Sequence, residues 1–72
     1  MHQRTTLTQA ADACGEASAT LARYRSLLAG AANLNAPCIP HAISDLRRAA
    51  VEIECAAVAL AQAQRTAQGA AE

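Results

Sequence analysis

A chain of 72 residues makes at most one small domain, and with 21 alanines and a single aromatic residue, Tyr24, it has few large side chains for a core. Its six basic residues, all arginine, balance six acidic ones, and zero formal charge argues against a general nucleic-acid or anionic-membrane binder. Chains this short rarely gain more than about 3–5 kcal/mol from their own core, so oligomerisation or a bound partner is expected.

The opening stretch MHQRTTLTQAADAC lacks the continuous apolar region of a secretory signal, and no run approaches the roughly 20 apolar residues of a membrane span. A cytoplasmic protein is the simplest reading. An odd number of cysteines, Cys14, Cys38 and Cys55, offers no disulfide framework.

Residues 1–6 read as a polar, frayed start. Thr6 or Thr8 suits the cap of a first helix over about residues 8–29, since a threonine hydroxyl accepts from the unpaired N–H groups of the first turn. Along it Leu7, Cys14, Leu21 and Leu28 recur every seven residues, with Ala10, Ala17, Tyr24 and Ala31 three residues after each. Gly30 or Asn33 suits a left-handed residue closing this helix. The breaker cluster NLNAPCIP marks a loop over about residues 30–39, with Pro37 or Pro40 in the first turn of the next helix.

The second helix is expected over about residues 40–67, with Gly69 ending it. It repeats the pattern, with Ile39, Leu46, Ile53 and Leu60 each followed three residues later by Ala42, Ala49, Ala56 or Ala63. Val51, Cys55 and Val58 fall on nearly the opposite side of it. The fold class that follows is all-α: an antiparallel helical hairpin with an alanine-rich heptad seam. The large stripes of the two helices are expected to bury each other, with residues at equal height when their numbers sum to about 69. Val51, Cys55 and Val58, with Leu27, are then left for self-association, giving a homodimeric four-helix bundle.

The height rule sets Arg23, Arg25, Arg47 and Arg48 in one belt near the loop. This is either a site for acidic groups or phosphate, or a solvated face in which Asp45, Arg48 and Glu52 form ordinary helix ion pairs. Tyr24 either packs in the core with its hydroxyl at the edge or stands exposed among those arginines as an interface anchor. Asp12, Glu16, Glu52 and Glu54 form an acidic belt without the histidines that a di-metal bundle needs, so no metal is expected. Cys38 and His41 are half a zinc site at best. Cys14 and Cys55 lie at one height but read as small buried hydrophobes on different faces. No phosphate loop, nucleophile triad or paired catalytic acids occur, so no catalytic residue, cofactor or enzymatic activity is expected.

With the hairpin and its tail AAVALAQAQRTA in view, the chain resembles the small two-helix host-takeover proteins of temperate bacteriophages. That resemblance implies a dimer that binds and inhibits a larger host protein, and it carries over no functional residue. The architecture also resembles the plasmid copy-number regulators that bind paired RNA loops as dimers of helical hairpins. Two functions follow as expectations. The first is a non-enzymatic protein-binding inhibitor or regulator that meets its partner through Arg23, Arg25, Arg47, Arg48 and Tyr24. The alternative is a dimeric RNA- or DNA-binding regulator using the same arginine belt. A purely structural adaptor, docking its exposed stripe on a fixed neighbour, is a third reading.

Overall fold

The computed structural model describes residues 2–71, with side-chain surroundings for residues 4–69. Two helices, α1 (His2–Ala29) and α2 (Cys38–Ala71), lie against each other as an antiparallel hairpin. The hydroxyl of Tyr24 on α1 donates to the carboxylate of Asp45 on α2, residues whose numbers sum to 69. The heights expected from the loop position therefore hold.

Both helices are longer than their sequence signals suggest. α1 begins at His2 and runs through Thr6 and Thr8, so neither threonine is a cap, and residues 2–6 are helical. α2 starts at Cys38, two residues before the expected start, and passes through Gly69 to Ala71. No described residue has a positive φ, so neither Gly30 nor Asn33 takes the left-handed conformation. Instead Gly30 N–H reaches Ser26 O at 3.1 Å and Ala31 N–H reaches Leu28 O at 3.2 Å, which tightens the last turn of α1. In the loop, Asn33 Oδ1 accepts from the Asn35 amide at 2.8 Å. Pro40 stands in the first turn of α2, where its missing N–H has no helical partner to lose. Between such signals the alanines decide: their helix propensity carries the helix past a threonine or a glycine that is not forced out of it.

The seam between the helices is the reverse of the expected one. The fully buried residues are Ala10, Ala17 and Tyr24 on α1, and Ala42 and Ala49 on α2. Ala13, Thr20, Ala56 and Ala63 extend the same lines as half-buried positions. The stripe expected inside α1 is outside: Leu7 is 60% and Leu21 57% exposed, and Leu28 and Cys14 are exposed too. On α2, Ile39 and Leu46 are half-buried while Ile53 and Leu60 are 37% exposed. The reason is geometric. In a two-helix pair each seam residue is covered from one direction only, so an alanine can vanish completely but a leucine there would wedge the backbones apart and stay open at its flanks. Tyr24 is the one large side chain in the seam, 2% exposed, in the layer nearest the loop occupied by a fully buried α1 residue.

The product is a rod of 57 × 14 × 13 Å with a radius of gyration of 16.6 Å, against about 11 Å for a compact chain of this length. A leucine in the alanine seam is expected to harm the fold more than loss of an outer aliphatic. Ala49→Leu should destabilise the hairpin by about 1–3 kcal/mol, as an overpacked core does. Val51→Ala should move stability by no more than about 0.5 kcal/mol. Urea unfolding of the two variants followed by circular dichroism checks the order.

Candidate functional site

The hairpin has two unlike sides, set by which residues flank the seam. On one side Leu7 of α1 joins Ala57, Leu60 and Ala61 of α2 along a single shallow groove. Seven-residue spacing continues this face toward the loop through Cys14, Leu21 and Leu28 on α1 and through Ile53 and Leu46 on α2. On the other side Gln9 and Ala13 of α1 meet Glu52, Cys55 and Ala59 of α2. Glu16, Arg23 and Arg48 follow on that side by the same spacing. The first side carries the larger aliphatic residues, with Arg4 and Arg25 in the Ala11 row of α1 and Arg47 and Glu54 in the Ala61 row of α2 at its edges, while the second carries charge beside the seam.

Val51, Cys55 and Val58 are exposed on α2, as their spacing predicts; Val51 is 61% exposed. They form the narrower of the two apolar surfaces. Leu27 is exposed as well but does not continue that stripe. It sits near the loop, where its carbonyl lies 4.0 Å from Cys38 Sγ, while Val51 is level with residue 18, about 13 Å further along the rod. Hydrophobicity alone places the residues of the large aliphatic face in the interior, which hides the face in the sequence. Its signal was present in the seven-residue recurrence of Leu7, Leu21 and Leu28.

Arg23, Arg25, Arg47 and Arg48 are all exposed and stand at one level, but they do not make one patch. Residues two apart are about 200° apart around a helix, so Arg23 and Arg25 point away from each other, and Arg47 and Arg48 differ by about 100°. Arg23 lies with its guanidinium carbon 5.5 Å from the centre of the Tyr24 ring, a cation–π approach. The ring itself is in the seam, so of the two placements open to Tyr24 the structure takes the core one, and the ring offers no anchor to a partner. Asp45 accepts the Tyr24 hydroxyl rather than pairing along its own helix with Arg48.

The three cysteines are free thiols, Cys14 and Cys55 exposed and Cys38 half-buried, so neither Cys14 nor Cys55 is the buried hydrophobe expected. Among the described residues no three of His, Cys, Asp and Glu come together as ligands could. His41 is exposed at the start of α2, and the His2 side chain lies outside the described residues. Among the described residues no helix is long and apolar enough to cross a membrane. Compared with known proteins, the chain matches no family model, no curated sequence and no solved structure.

The Tyr24–Asp45 contact makes the fold sensitive to alkali. The hydrogen bond to the Asp45 carboxylate, then burial, holds the Tyr24 hydroxyl above its ordinary pKa of about 10. Because the folded-state value is raised, the stabilisation is complete below the unfolded value and is lost as pH rises through the folded one. Thermal melts should therefore be insensitive to this pair at pH 8 and fall above pH 10. Tyr24→Phe should melt lower at pH 8 and lose less of its remaining stability on going to pH 11. An equal alkaline loss in both proteins would mean that another group titrates.

Proposed function

We propose that this chain is a non-enzymatic interaction module, a helical hairpin that associates with itself and binds a larger protein as an inhibitor or regulator. One observation carries the reading: among the described residues no Leu, Ile or Val is fully buried. The chain exposes 5740 Å², whereas a folded monomer of 7.4 kDa exposes about 4,200 Å². The excess follows from the 57 × 14 × 13 Å rod shape, which leaves Leu7, Leu21, Val51 and Val58 each at least 46% exposed. A hairpin with this much unmet apolar surface gains stability from whatever covers it.

Two surfaces divide the work. The broad Leu/Ile face suits self-association, where apolar contact supplies affinity. The charged side and back of α2, with Arg47, Arg48, Val51, Cys55 and Val58, together with Arg23 of α1, suit the larger partner, where charges set rate and specificity. A host protein inhibited by a phage-type hairpin is the form of this reading that the resemblance of fold and tail suggests. A cytoplasmic setting suits three free thiols. The nucleic-acid alternative is disfavoured by zero net charge and by arginines that face different directions.

The test is affinity capture from a host lysate with wild-type chain and with an Arg47→Glu/Arg48→Glu variant. Capture of a discrete protein by the wild type, reduced roughly tenfold or more by the charge reversal, is the expected result. A parallel titration with RNA and DNA at low and moderate salt should show no binding. Tight binding falling steeply with salt would replace this reading with the nucleic-acid one.

A further inference from the structure

We infer that the partner on the broad aliphatic face is a second copy of this chain, docked antiparallel about a two-fold axis that passes beside Cys14. The inference deepens the self-association part of the proposed function and locates it on a surface other than the Val51–Cys55–Val58 stripe.

The face has the symmetry that such a dimer requires. A two-fold interface must be self-complementary, with each residue facing the position to which its own partner returns. Beside the buried seam, α1 carries a second heptad stripe, Leu7, Ala11, Cys14, Ser18, Leu21 and Leu28. Leu7 and Leu21, its two most exposed leucines, stand equally far on either side of Cys14. Turning the chain about Cys14 sets Leu7 of one copy against Leu21 of the other. Cys14 is level with Cys55, so the same axis sets Ile53 against Ala57 and Leu60 against Ala50, a large side chain facing a small one each time. The midpoints of α1 and α2 fall at residues 15–16 and 54–55, so an axis at this level overlaps both helices along nearly their whole length.

The face runs along the 57 Å rod, and Leu7, Leu21, Leu28, Ile53 and Leu60 on it are each at least 37% exposed, so a second copy has large side chains to cover along its length. One feature opposes it: Arg4 of one copy and Arg25 of the other fall at the same end of the interface, a repulsion that salt screens.

Two measurements on the full chain test this. In chains keeping a single cysteine, diamide takes two electrons and two protons from a pair of thiols that can meet and leaves a disulfide. The Cys14-only chain (Cys38→Ser, Cys55→Ser) should form covalent dimer roughly tenfold faster than the Cys55-only chain (Cys14→Ser, Cys38→Ser), because only the Cys14 pair comes within bridging distance. In sedimentation at tens of micromolar, wild type should be a dimer. Leu21→Glu should be a monomer of undiminished helicity, since Leu21 is 57% exposed in its own chain and glutamate is a good helix former. Faster linking of Cys55, or a Leu21→Glu chain that remains dimeric, overturns this interface while leaving a self-associating module intact. A wild type that is monomeric throughout overturns the inference too, and the capture of a larger protein would then stand or fall by itself.

Discussion

Alanine-on-alanine contact between the two helices is the constraint from which the rest of the structure follows. With Ala10 and Ala17 on one helix and Ala42 and Ala49 on the other fully buried, the backbones lie side by side without large side chains between them. Close approach brings backbone and alanine atoms of both helices into dispersion contact along the seam. It also makes the seam too narrow for leucine, so the aliphatic residues are displaced to its flanks. Tyr24, near the loop, is the single exception, held by its hydroxyl on Asp45.

A seam of this kind contributes little energy, because each alanine removes little surface from water. What keeps helices of 28 and 34 residues intact is largely local: alanine has the highest helix propensity, and 21 of 72 residues are alanine. The hairpin is therefore well specified in secondary structure and thinly supported in tertiary structure. Its remaining apolar surface is the natural place for further stabilisation, and binding and folding are coupled in such a chain. The interaction-module function proposed above rests on this imbalance rather than on any motif.

The two sides of the rod give that imbalance a direction. One carries Leu7, Leu21, Ile53 and Leu60, with charge only at its edges. The other carries Glu16, Glu52, Arg23 and Arg48. Apolar surface supplies affinity without discrimination, and charge supplies discrimination with little net affinity. A hairpin with both, on opposite sides, can hold a copy of itself and still present a charged surface to something else.

Much of this was legible in the residues themselves. Seven-residue recurrence dictated two long helices, the NLNAPCIP cluster dictated one loop, and their spacing dictated which residues stand level across the hairpin, as Tyr24 and Asp45 do. The helix ends were less legible, because Thr6, Thr8 and Gly69 only permit a boundary while alanine on both sides favours continuation. The same periodicity also could not decide which stripe faces inward. Leu7, Cys14, Leu21 and Leu28 run parallel to Ala10, Ala17, Tyr24 and Ala31 with an identical period, and hydrophobicity alone favours burying the larger set. Only the packing of two helices, with no third to close the flanks, settles it: a residue covered from one side must be small to disappear, so the alanines went in and the leucines stayed out.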